Sequence, residues 1–169
     1  LTVTAENSAD SASIADFKRQ KRYRLMWMDT KYESGTVKVV AYNEKGDAVA
    51  EKEIHTAGKP DHIELVADRN EIKADGKDLS FVTVRVVDKE GNLCPDAQHL
   101  IKYAVKGAGT YRAGANGDPT SLELFHVPQM KVFNGMMTAV VQSTDKPGEI
   151  TLTATGKGLK SGRLVLMSK

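Results

Sequence analysis

DHIELVADRNEIKADGKDLSFVTVRVVDKEGNLCPDA, residues 61–97, decides the fold. It reads as a strand, a polar turn at Asp75-Gly76, a long strand, and a second turn at Asp88–Asn92 closed by Pro95. In the long strand both faces carry apolar residues, Leu79 and Phe81 on one and Val82, Val84 and Val86 on the other. That pattern predicts a strand in the middle of its sheet. Short β-branched runs broken by turn chemistry every ~8–12 residues mark the opening of an immunoglobulin-like β-sandwich. Such sandwiches act as spacers and docking modules more often than as catalysts.

Toward the C-terminus the strand signals continue. Strands are expected near 63–67, 79–87, 100–105, 109–113, 136–143, 149–155 and 163–168. Glu149–Thr155 alternates cleanly, with Ile150, Leu152 and Ala154 predicted inward and Glu149, Thr151, Thr153 and Thr155 toward water. Before it, Pro147-Gly148 reads as a type II turn. Toward the N-terminus, Thr56–Pro60 (TAGKP) is the best boundary, because Gly58 and Pro60 break pairing. Upstream, Asn43–Gly46 closes a predicted hairpin between TVKVVAY and DAVAEKEI, and Ser34-Gly35 marks a turn. YRLMWMDT at 23–30 looks like a further strand, and residues 5–20 support a short helix only weakly. The expected fold is therefore all-β: an immunoglobulin-like β-sandwich over residues 58–169, preceded by a partial second β-sandwich over residues 1–57. The first module offers only three or four strands and is expected to be truncated at its start.

Composition narrows the function classes. A net charge of +2 is too small to imply a nucleic-acid partner, and the cluster Lys18, Arg19, Lys21, Arg22, Arg24 reads as a solvated face. No run approaches the ~20 apolar residues of a membrane span. Cys94 is the only cysteine, so no internal disulfide can form. The chain begins at Leu1, and LTVTAENSADSAS lacks the basic start and apolar centre of a signal peptide. It reads as a piece of a longer polypeptide.

The chemistry-bearing patterns are sparse. His55, His62, His99 and His126 show no ligand spacing, and Glu123 with His126 lies between Pro119 and Pro128 in a predicted loop, so no metal site is expected. GAGTYRAG lacks a dinucleotide fingerprint, and GKGLKSG fails the phosphate-loop spacing, so no cofactor is expected. Gly107, Gly109 and Gly114 are expected to permit tight bends between strands. No Gly-x-Ser-x-Gly elbow occurs, and Asp75, Asp78, Asp88, Glu90 and Asp145 fall in turns, so no catalytic residue is assigned. Sugar-binding sandwiches display exposed rings, but Trp27 lies in an apolar run and is expected in a core. The one long polar insertion, Ala115–Val127, gathers Asn116, Asp118, Phe125 and His126, the candidate substrate-rim residues, against the plainer reading of a turn nucleated by Asn116-Gly117.

Taken in order, Trp27, Tyr32–Gly35, Val39–Tyr42, Gly46, Thr56–Gly58, Ile63–Leu65, Asp68-Arg69, Ala74–Gly76, Asp78–Val84, Asp88, Gly91, Pro95, Asn116–Asp118 and Phe133–Gly135 form a pattern. It resembles the C-terminal region of bacterial β-galactosidases of glycoside hydrolase family 2, in the form found in gut Bacteroides-type bacteria. The match runs from about Tyr23 to the end, and departs where Ser34-Gly35 replaces a usual Pro-Gly. The resemblance implies two immunoglobulin-like modules behind a catalytic barrel, with their boundary at Thr56–Gly58. It implies a retaining parent hydrolase whose catalytic glutamates lie in that barrel, in the periplasm or at the cell surface. The expected partners are the catalytic barrel of the parent polypeptide, a second subunit, and a carbohydrate contact. The expected role is a non-catalytic accessory region. The alternatives are a sandwich repeat of a bacterial adhesin or invasin-like stalk, and an autonomous carbohydrate-binding module.

Overall fold

The computed structural model describes residues 31–169, and the chain divides into two compact units, Leu1–Thr56 and Ala57–Lys169. The strand expected at 23–30, the weak helix at 5–20 and the core placement of Trp27 lie outside the described residues.

In the first unit, β1 (Thr36–Tyr42) and β2 (Ala48–His55) pair antiparallel, with Thr36 opposite His55 and a register shift at Ala41/Tyr42. Asn43 makes the turn. Its Oδ1 accepts the N–H groups of Lys45 and Asp47, both at 2.9 Å, while Gly46 takes a φ of +85° that a side chain would disfavour. At the open end, Thr56 Oγ1 accepts the Gly35 N–H at 3.0 Å.

The second unit is a two-sheet sandwich of nine strands. They are β3 His62–Ala67, β4 Glu71–Ile72, β5 Leu79–Val87, β6 Leu100–Gly107, β7 Gly109–Ala115, β8 Gln129–Lys131, β9 Met136–Ser143, β10 Gly148–Gly156 and β11 Gly162–Ser168. One sheet has the order β3-β5-β9-β7, the other β4-β11-β10-β6-β8. All pairings are antiparallel except β4 with β11. No described residue is helical. The all-β fold is as the sequence predicts.

The period-2 pattern explains the core. Val82, Val84 and Val86 of β5, Met137, Ala139 and Val141 of β9, and Ile150, Leu152 and Ala154 of β10 point between the sheets with Ile101, Tyr103 and Leu166. β5 is central, between β3 and β9, yet its second face is not buried: Phe81 is 46% exposed. Central position and two-sided burial are separate properties in an antiparallel sandwich, where the outer face of a middle strand still meets solvent.

Two strands escape the sequence reading. β4 and β8 are two and three residues long, too short to show a period. Between β3 and β4 the chain crosses from one sheet to the other, and Asp68 steadies the crossing: its Oδ1 accepts the Phe81 N–H at 2.8 Å. The buried Ser80 hydroxyl donates to the Arg69 carbonyl at 2.8 Å. The Pro147-Gly148 expectation needs correction. Gly148 opens β10 with a φ of +150°, far from the ~+80° that a type II turn places at its third residue.

Turn carboxylates finish the frame. Asp75 Oδ1 accepts the N–H groups of Lys77 and Asp78, both at 2.8 Å, while Gly76 sits at φ +70°. Asp88, 2% exposed, accepts from the N–H of Gly58 at 2.7 Å, of Glu90 at 3.0 Å and of Asn92 at 2.8 Å. One carboxylate thus ties the start of the second unit to the end of β5.

Candidate functional site

The candidate residues all fall in the loop that leaves β7, the edge of one sheet, and enters β8, the edge of the other. Asn116 begins it. Its Oδ1 accepts the Asp118 N–H at 3.0 Å and its Nδ2 donates to the Lys131 carbonyl at 3.0 Å, so it fastens the start of the loop to β8. Gly117 takes φ +76°, which agrees with the turn read from Asn116-Gly117. Asp118 Oδ1 accepts the hydroxyl of Thr120 at 2.7 Å and its N–H at 2.8 Å. Those two bonds, the hydroxyl first, hold the carboxyl below its ordinary pKa.

The far end is anchored by backbone. The Phe125 carbonyl accepts the Gly114 N–H at 2.8 Å and the Tyr111 hydroxyl at 3.3 Å. Tyr111 stacks on Tyr103, with ring centroids 5.6 Å apart and planes 10° from parallel. A Cβ on Gly114 would stand 2.6 Å from the Tyr111 hydroxyl, so this glycine is there for close approach. Among the three glycines expected to permit bends, only Gly107 has a positive φ, +92°. At Gly109 a Cβ would meet Ile150 at 2.8 Å, again a matter of room.

Between the anchors, Glu123 clamps the loop. Both its carboxylate oxygens lie 3.2 Å from the Lys131 N–H, and the Glu123 N–H donates to Ser121 Oγ at 3.3 Å. Of the four candidates, Asn116 therefore faces backbone of the loop and of β8, Asp118 turns one oxygen onto Thr120, and Phe125 and His126 are exposed. Leu122 and Leu124 are exposed as well. Sequence reasoning passed over them and over Tyr111, and weighed Glu123 only as a metal ligand beside His126. An apolar residue alternating with polar ones looks the same in sequence whether it points into a core or out of a loop.

Four aspartates elsewhere have environments unsuited to acid chemistry. Asp75, Asp78 and Asp88 are lowered chiefly by backbone N–H donors, Asp88 to about 2, and Asp61 chiefly by its hydrogen bond with Lys160. A general acid needs its pKa raised, by burial or a like charge. Every shifted aspartate among the described residues moves the other way. Among those residues no group of three or more His, Cys, Asp and Glu could hold a metal ion, and no helix is long and apolar enough to cross a membrane.

What fold and loop define is a two-sheet sandwich with an ordered presenting loop. Residues 63–165 match the model of the glycoside hydrolase family 2 C-terminal domain 5, and the chain belongs to that family. Residues 6–50 match a domain of unknown function, DUF4982. The chain is 50% identical over 139 residues to the β-galactosidase BoGH2A of Bacteroides ovatus, covering 82% of this chain and 16% of that one. A β-galactosidase of Thermoanaerobacter pseudethanolicus is 32% identical over 134 residues, 79% of this chain and 16% of the relative. Among solved structures, a family 2 glycosyl hydrolase of Bacteroides cellulosilyticus superposes with a TM-score of 0.77 at 35% identity, covering 83% of this chain and 18% of that one. The chain thus spans about a sixth of the length of the relatives it matches.

Proposed function

We propose that this chain is the non-catalytic C-terminal region of a β-galactosidase-type family 2 glycoside hydrolase, working in carbohydrate degradation in the periplasm or at the cell surface. The observation that carries the reading is the 50% identity to a β-galactosidase over 82% of the chain, in a region that makes up 16% of that enzyme. The depressed turn aspartates support the non-catalytic part. A retaining glycosidase needs two carboxyl groups ~5–5.5 Å apart, one of them able to donate a proton. In this reading those groups belong to a catalytic barrel earlier in the polypeptide, and the sandwich acts by packing. The family match favours this over a stacked adhesin repeat. The exposed side chains of the loop favour it over an autonomous sugar-binding module, since Leu122 and Leu124 offer no ring beside Phe125 and His126, and Asn116 Oδ1, Asp118 Oδ1 and the Glu123 carboxylate are engaged by backbone.

The test compares the purified 169-residue chain with the full-length gene product on a chromogenic β-galactoside. The full-length protein is expected to turn over and the fragment to stay at the blank. Hydrolysis that scales with fragment concentration would overturn the non-catalytic assignment. A full-length protein inactive on β-galactosides would overturn the enzymatic one.

A further inference from the structure

In the loop between β7 and β8 the usual arrangement of polar and apolar side chains is inverted. Asn116, Asp118, Ser121 and Glu123 turn their side-chain oxygens onto backbone N–H groups of the loop and of Lys131. Leu122, Leu124 and Phe125 point to solvent, 95%, 61% and 63% exposed. A single exposed leucine needs no explanation, but three large apolar groups exposed within four residues call for a partner. The loop that carries them is held at both ends and in its middle by hydrogen bonds. Docking it would cost little ordering entropy, which is the property of a preformed anchor.

The chemistry selects the occupant. A carbohydrate needs hydrogen-bonding groups for its hydroxyls and flat rings for its faces. Here Asn116 Oδ1, Asp118 Oδ1 and the Glu123 carboxylate are engaged with backbone, and two of the three exposed apolar side chains are leucines with no flat face, beside the single exposed imidazole of His126. The three apolar groups suit a protein surface. Three such side chains offer on the order of 400 Å², far below the ~1,200–2,000 Å² buried when separate chains associate stably. An area of that size suffices only where the partner is already tethered, because linkage supplies a high effective concentration. The family relatives carry about five-sixths of their length outside the region matched here, ample for such a partner in the same polypeptide.

We propose that Leu122, Leu124 and Phe125 form a plug that seats the sandwich on the catalytic portion of its own polypeptide; this rests on the preceding reading that such a portion exists. In the full-length protein, a benzophenone-bearing phenylalanine analogue replaces Leu122 and crosslinked peptides are mapped after irradiation. The same protein is assayed for glycoside hydrolysis, so that the two ideas can fail separately. Intrachain crosslinks to the catalytic portion are expected. The pair Leu122→Ser and Leu124→Ser should lower the melting temperature of the full-length protein by several degrees and leave that of the 169-residue chain unchanged. An active enzyme with crosslinks between copies, to residues 1–56, or nowhere overturns the docking proposal alone, as does an equal thermal shift in both proteins. An inactive full-length chain that still crosslinks to its upstream portion overturns the enzymatic reading and leaves docking in cis standing.

Discussion

Replacing Val84 with aspartate tests the sandwich at its centre. Val84 is fully buried in β5, opposite Leu65 on β3 and Met137 on β9. Losing its burial costs ~1.5–3 kcal/mol. The new carboxyl would have no charged or hydrogen-bonding partner, so it would neutralise. Protonating an aspartate of ordinary pKa at pH 7 costs about 4 kcal/mol. The sum, ~6 kcal/mol, rivals the ~5–15 kcal/mol total stability of a domain. Thr153→Asp places the same residue on the outer face of β10, opposite Ala104 on β6 and Arg163 on β11. There a carboxylate keeps its water and gains a cation across the strand, so the change should cost no more than ~1 kcal/mol. Urea unfolding of the 169-residue chain, followed by far-ultraviolet circular dichroism, gives the comparison. Val84→Asp should be largely unfolded at pH 7 and recover part of its deficit toward pH 4, where the protonation cost shrinks. Thr153→Asp should keep nearly the wild-type midpoint. Equal losses in the two, or a Val84→Asp deficit indifferent to pH, would refute the assignment of inward and outward faces.

Two further outcomes are expected. Because Asp88 has a folded pKa of about 2, below its unfolded value, its contribution is complete above pH ~4 and fades as pH falls toward 2; Asp88→Asn should flatten that part of the pH–stability curve, and an unchanged curve would count against the Gly58–Asp88 tie. If the second unit is an independent folding module, a broad-specificity protease should cut first near residues 56–60 and leave a resistant product spanning residues 57–169, whereas first cuts within 79–155 would disprove that independence.

The strands that sequence reveals are those whose burial is one-sided and long enough to repeat. β5, β9 and β10 show it through Val82/Val84/Val86, Met137/Ala139/Val141 and Ile150/Leu152/Ala154. The β1–β2 hairpin shows it through Asn43 and Gly46, whose turn chemistry is local. β4 and β8 are illegible because a run of two or three residues is a strand only by virtue of β11 or β6 beside it. The candidate loop was found by its length, but the direction of each side chain was not. Asn116 and Asp118 look like ligand-binding groups in sequence, and it takes the position of Lys131, Thr120 and Gly117 to turn them inward. Leu122 and Leu124 have the opposite history, ordinary core residues in composition and solvent-facing in space.

The parallel ladder between β4 and β11 joins residues about a hundred positions apart, with Glu71 opposite Met167 and Ile72 opposite Ser168. Contacts of such long range are slow to find during folding. Until β11 arrives, β10 has an open edge and β4 has no partner, so any kinetic intermediate lacking that strand presents a free template for another molecule. β11 is therefore the natural segment for exchange between copies at high concentration during refolding.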